Sequence, residues 1–249
     1  MSKKFYFIPG LLLLFCLVAN ISYGQTTKKT AKKTTVKKTA VKKTVSKKQI
    51  VPKKLPGTRV KITTDSGVII VRLYDSTPLH RDNFVKLVKE GFYDSLIFHR
   101  VIQDFMIQGG DPLSKNAPSG TALGMGGGDM QRIPAEFRPS LIHKKGALAA
   151  ARDNNPERAS SACQFYLVQG KKYSNEELSG LEAQMGIKYT PAQRNIYTTI
   201  GGTPFLDMNY TVFGEIESGL NVIDKIAKVS KDPGDRPLID VRMKMEIVK

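Results

Sequence analysis

The sequence predicts a mainly β domain, an antiparallel barrel or sandwich of short strands carrying two core helices. Three observations lead there. From Arg59 onward, short runs of β-branched and aromatic residues are separated by Gly, Pro, Asn and Asp turn signals. Only two stretches of that region have apolar residues spaced to pack a helix against the strands. The 41% hydrophobic content supports a real core, and one domain over residues 58–249 is the economical reading.

In chain order, "RVKITTDSGVIIVRLY" reads as a hairpin turning at Asp65–Ser66–Gly67. "TPLHRDNFVKLVKEGFY" follows as a helix with Thr77 as N-cap, Pro78 at the first helical position and Gly91 as the stop; Phe84, Val85, Leu87 and Val88 share one face. Further β runs fall at 98–102, 105–109, 132–137, 147–151, 164–169, 210–216 and 239–247, with a second helix over 219–228. Residues 171–203 break this pattern. Ser174 followed by Glu177, and Thr190 followed by Pro191 and Gln193, are capping signatures of two short helices inserted between strands. A connection this long is either functional or a decoration.

Charge is concentrated before the domain. Residues 25–54 hold twelve lysines, Lys3 and Lys4 add two more, and residues 55–249 carry only +3 of the net +17. The first 24 residues have the layout of a secretory signal: two lysines, an apolar run from Phe5 to Val18, then Ser22 and Gly24 at −3 and −1 of a cut before Gln25. The alternative is an N-terminal membrane anchor, for which the run is short and interrupted by Pro9–Gly10. The "KKTTVKKTAVKKTVSKK" segment offers nothing to bury, so 25–57 is expected to be a disordered Lys/Thr-rich linker extended by its own repulsion. It is either a solubilising spacer or an attachment to an anionic envelope surface. Nucleic acid is not the expected partner, because no aromatic residues interleave with the lysines. Without the signal, Cys163 is the only cysteine, which rules out an intramolecular disulfide and favours a core role for this thiol.

Several enzyme classes find no support. His80, His99 and His143 lack metal-ligand spacing, "GMGGGD" lacks the helix and Lys–Ser/Thr of a phosphate loop, and no serine sits in a nucleophile turn. What remains is Arg100 among apolar residues in "FHRVIQDFMIQGGDP". A guanidinium there needs a partner, an opening to solvent or a task. Strand alternation places Met106 and Gln108 on one face, and Gln164 and Tyr166 on one face, while Ile107, Phe165 and Leu167 point into packing. If both faces meet Arg100, they line a sulfur, aromatic and amide pocket with one cation at its rim. Such a pocket suits a proline ring beside a polarised amide. Other roles stay open: Arg100 as a structural ion-pair partner, Phe105 as core, and Gln108 and Gln164 as partners of backbone groups.

"FHRVIQDFMIQGGDP", "PAEF" at 134–137, "KGALAAARDNNPERASSACQFYLV" at 145–168 and "FLDMNYTVFGEI" at 205–216 together resemble the ordered motifs of the cyclophilin-type peptidylprolyl isomerases. The resemblance runs from Arg59 to the C-terminus, outside the insertion. It implies a closed eight-stranded antiparallel β-barrel capped by two α-helices, acting on X-Pro bonds without a metal or cofactor. It implies that Arg100 is catalytic, that Phe105, Met106, Gln108, Tyr166, Phe205, Leu206 and Tyr210 surround the proline, and that Ala151, Arg152 and Gln164 follow the peptide groove. Tyr166, Phe205, Tyr210 and Arg152 stand where Phe, Trp, His and Asn are common in the best-known eukaryotic members. Phe205 weighs against tight binding of cyclosporin.

The expected partners are proline-containing peptides and folding proteins, met by a monomer exported to the periplasm or envelope. Two other functions compete: a non-catalytic proline-peptide chaperone with the insertion over the groove, and an anionic-surface protein acting through the lysine tail.

Overall fold

The computed structural model describes residues 57–248. The expected signal peptide (1–24) and the linker (25–57, Gly57 apart) lie outside the described residues. The first hairpin is β1 (Arg59–Thr64) and β2 (Gly67–Leu73), with Thr64 facing Gly67 across a two-residue turn. Then come α1 (Pro78–Lys89), β3 (Phe98–Ile102), β4 (Met106–Gly109), β5 (Ala147–Ala150) and β6 (Phe165–Val168). The insertion holds α2 (Asn175–Met185) and α3 (Pro191–Thr199), after which β7 (Val212–Ser218), α4 (Leu220–Ile226) and β8 (Met243–Val248) complete the chain.

All eight strands join one antiparallel sheet in the order β3-β4-β6-β5-β7-β2-β1-β8. Its edges, β3 and β8, meet through a single bridge between Ile97 and Arg242, supported by Phe98 N donating to Val241 O at 3.0 Å and Met243 N to Leu96 O at 2.8 Å. The architecture is therefore a half-barrel with a stitched seam, more open than the closed barrel expected. Just before β3 the chain turns at Ser95 (φ 69°), which leaves little extended backbone to continue the ladder.

Strand alternation builds the core. Val60, Ile62, Val71, Leu73, Ile107, Leu148 and Leu167 are buried together with Phe84, Leu87 and Val88 of α1 and Val222, Ile223 and Ile226 of α4. Phe84 centres an aromatic cluster, 5.1 Å from Tyr93, 5.6 Å from Phe165 and 5.4 Å from Phe213, the last two edge-on. Cys163 is buried beside them, as expected of a core thiol, and burial pushes its pKa up, away from the reactive thiolate.

Two expectations fail for one shared reason. Thr77 occupies the N-cap position of α1, but its side chain makes no capping bond. Glu136 replaces it: its carboxylate accepts from Leu79 N (3.2 Å) and His80 N (3.0 Å) and contacts His80 Nδ1 at 2.7 Å. An anion there satisfies orphan N–H groups and complements the helix dipole. Residues 132–137 consequently form no strand. Ile133 makes an isolated bridge to Ser160, Pro134 has no N–H, and Glu136 N donates to Thr211 Oγ1 at 3.1 Å. The last β run also begins later than 239, since Ile239 is 84% exposed and pairing starts at Met243.

Both capping signatures in the insertion form capping boxes, Ser174 with Glu177 and Thr190 with Gln193. Thr190→Ala is expected to lower stability by about 1 kcal/mol, read as a shift in denaturant midpoint. An unchanged midpoint would mean that α3 is held by packing alone.

Candidate functional site

While Ile107 and Leu167 enter the core, the alternate residues of β4 and β6 emerge on the opposite face. Gln108 pairs with Tyr166, Arg100 with Gln108, and Ala149 with Tyr166. One patch of the sheet thus carries Arg100, Met106, Gln108 and Tyr166, with Gln164 just before β6, as the alternation predicts.

Met106 and Tyr166 are buried in a second apolar cluster separate from the barrel core, and Phe105, Ala151, Leu206 and Tyr210 pack against it. Phe105 gets there through a bend that alternation alone does not supply. Asp104 takes a left-handed conformation (φ 61°), and Phe105 N closes a turn on Ile102 O at 3.2 Å. Gln169 fixes this turn, its Oε1 accepting from Asp104 N at 2.7 Å. The Phe105 ring then lies 5.7 Å from Phe205, which is 42% exposed on the turn Pro204–Leu206. Tyr210 meets Tyr166 nearly edge-on at 6.0 Å. The result is an apolar cluster of packed aromatic rings.

A polar row borders it. Gln164 Nε2 donates to the carbonyls of Gly124 and Gly126, both at 2.9 Å, which leaves its Oε1 to accept from Gln108 Nε2 at 3.0 Å. Gln108 Oε1 is thereby turned toward Arg100 and accepts from Nη1 at 3.4 Å. Gln164 does serve backbone groups, and by doing so it orients the row that ends on Arg100. The Arg100 side chain is 42% exposed, and its only ionic contact among the described residues is a loose 3.9 Å approach to Asp235. Its other N–H groups have no hydrogen bond among the described residues, so donors remain for a ligand.

Beside this row runs a groove of about 380 Å³, lined by Gln108, Gln164, Ala151, Arg152 and the Gly124–Gly128 loop. Asp111 secures the loop by accepting from Gly124 N at 2.5 Å and Gly126 N at 3.3 Å. Gly127 (φ 80°) has no room for a side chain, because a Cβ would come within 2.3 Å of Cys163 Sγ. Arg152 Nε donates to Asn209 O at 3.0 Å, and its guanidinium lies over the Tyr210 ring at 4.7 Å, tying groove to cluster. Of the eleven residues expected at the site, Gln108, Gln164, Ala151 and Arg152 line the groove; Phe105, Met106, Ala151, Tyr166, Leu206 and Tyr210 form the apolar cluster with Phe205 beside Phe105; and Arg100 joins them through Gln108. Asp111, Gln169 and Asp235 were not expected; Asp111 and Asp235 sit among turn residues that signal only a loop, and Gln169 falls at the end of the run read as a strand, where nothing local marks its bond to Asp104.

A family model described as cyclophilin type peptidyl-prolyl cis-trans isomerase/CLD matches residues 59–247. The chain belongs to this family. As a cyclophilin-type protein it is an isomerase by class. A Staphylococcus aureus protein named "Putative peptidyl-prolyl cis-trans isomerase" is 38% identical over 186 residues, spanning 74% of this chain and 87% of its own. A Streptococcus pyogenes protein named "Putative bifunctional phosphatase/peptidyl-prolyl cis-trans isomerase" is also 38% identical, over 192 residues, but this cyclophilin spans only 37% of its length. The fold is also that of a solved Cryptosporidium parvum cyclophilin, with TM-score 0.56 and 22% identity over 77% of this chain and 98% of that one. A second structure of that protein was determined in the presence of the dipeptide Ala-Pro.

Proposed function

We propose that this cyclophilin accelerates rotation about X-Pro bonds in exported client proteins, with Arg100 stabilising the twisted transition state. The observation that carries the reading is a half-exposed guanidinium, bonded to Gln108 on the face of the sheet that also carries Met106 and Tyr166 of the apolar cluster. A proline ring fits the apolar space, the preceding residues follow the groove past Ala151 and Arg152, and the Ala-Pro present with the related cyclophilin supports this class of ligand.

Rotation about the C–N bond must break amide resonance, a barrier of about 18–20 kcal/mol. As the bond twists, the proline nitrogen regains its lone pair. An N–H donor aimed at that nitrogen binds the twisted form better than either planar one. No proton transfer, nucleophile or cofactor enters. An isomerisation assay on a proline peptide tests the reading: a catalysed rate that falls in Arg100→Ala supports it, and equal rates remove Arg100 from its role. A chain that bound the peptide without catalysis would instead be a chaperone.

The apolar leader and the lysine repeat support export to the periplasm or envelope, with residues 25–54 holding the enzyme near anionic surfaces. Deleting 25–54 should abolish salt-sensitive retention on anionic phospholipid vesicles without altering the isomerisation rate. Retention that survives the deletion would leave the segment a spacer.

A further inference from the structure

We propose that the inserted helices position the floor of the proline pocket through a buried relay, Tyr197–Asp207–His143–Tyr166, which makes Tyr197, Asp207 and His143 positioning residues for client binding. This rests on the reading of the pocket as a proline site.

The relay starts in the insertion. Tyr197 of α3 is fully buried, and its hydroxyl donates to Asp207 Oδ2 at 2.5 Å; Tyr189, between α2 and α3, donates to the same oxygen at 2.9 Å. Burial first, and the Asp207 charge second, push both phenols far above their ordinary range, so they stay donors. The other carboxylate oxygen, Oδ1, accepts from His143 N at 2.8 Å and Nδ1 at 2.7 Å. A carboxylate only accepts, so Nδ1 donates to it, and Nε2 makes the next hydrogen bond of the row, with the Tyr166 hydroxyl at 3.0 Å. The His143 and Tyr166 rings lie within 12° of parallel.

Where the relay ends is what matters. A network that merely fastened the insertion would stop at Asp207, whereas this one continues to a ring in the proline pocket. Asp207 also directly follows Phe205 and Leu206, so one carboxylate anchors both the pocket wall and its floor. Each member is buried and hydrogen-bonded, so loss of one bond leaves a polar group unpaired and favours repacking along the row.

The experiment uses the full chain and a proline-containing tetrapeptide, measuring Kd, kcat, KM and thermal stability for the wild type, Tyr197→Phe, Tyr166→Phe and the double variant. Removing a single hydroxyl spares the fold more than Asp207→Asn would. Tyr197→Phe is expected to raise Kd and KM about threefold or more with kcat within about twofold, and to lose most of that effect in the Tyr166→Phe background, the non-additivity of coupled groups. A Tyr197→Phe variant with altered melting but unchanged Kd, or effects that multiply independently, would overturn the relay. Because Kd is the first readout, a wild type that binds without isomerising refutes the catalytic reading while the relay is still decided.

Discussion

Arg100→Ala should lower kcat/KM for X-Pro isomerisation by about ten- to 150-fold, because a hydrogen bond to a charged group contributes about 1.5–3 kcal/mol and each 1.36 kcal/mol is tenfold in rate. Stability should barely change. The side chain is 42% exposed, its bond to Gln108 is 3.4 Å long, and its contact with Asp235 is a loose 3.9 Å. Exposed ion contacts of that kind contribute little. Loss of rate without loss of stability therefore separates a donor to the reacting bond from a structural arginine. Arg100→Lys should recover only part of the rate, since an ammonium keeps the charge but lacks the planar fork of donors that Gln108 orients. Because the donor acts on the twisted bond and not on the planar peptide, the loss should appear in kcat more than in KM. A KM effect alone would make Arg100 a binding residue.

The second large effect is on stability against pH. His99 is 3% exposed, and neither ring nitrogen has a hydrogen-bond partner among the described residues. Burial lowers its pKa to about 4; Arg100 and Arg236 push the same way, and Asp111 opposes them. The unfolded chain binds a proton at this residue below about 6.5, whereas the folded chain resists until about 4. The contribution is thus fully present above 6.5 and is lost as the pH falls, by about 2 kcal/mol at pH 5 and about 3 kcal/mol at pH 4. Buried His80, whose pKa is also lowered chiefly by burial, acts in the same sense. Denaturant unfolding at pH 7, 5 and 4 measures the slope. His99→Phe should flatten it, because an apolar ring of similar shape removes the proton site without orphaning a partner. Parallel curves for wild type and variant would remove His99 as the cause.

Much of the site was legible because its determinants are local. Period-two alternation put Met106 with Gln108 and Gln164 with Tyr166, and the register of β4 against β6 then brought the two faces together. The capping boxes of α2 and α3 were equally readable, since each is made within four residues. Thr77 looked just as good a cap, yet Glu136, fifty-six residues after His80, took the position. A carboxylate arriving from another part of the chain has no local signature. Phe105 was ambiguous for a related reason: a non-glycine residue, Asp104, adopts the left-handed turn that redirects it.

Composition and spacing were sufficient for the strand-rich domain and its helices, because hydrophobic period and turn chemistry act over a few residues. The seam between β3 and β8, the orientation of the Gln164–Gln108–Arg100 row and the path from Tyr197 to Tyr166 belong to the tertiary structure alone. Each depends on which donors and acceptors are left over after the strands pair. That remainder is decided only when distant segments are buried together and every polar group among them must find a partner.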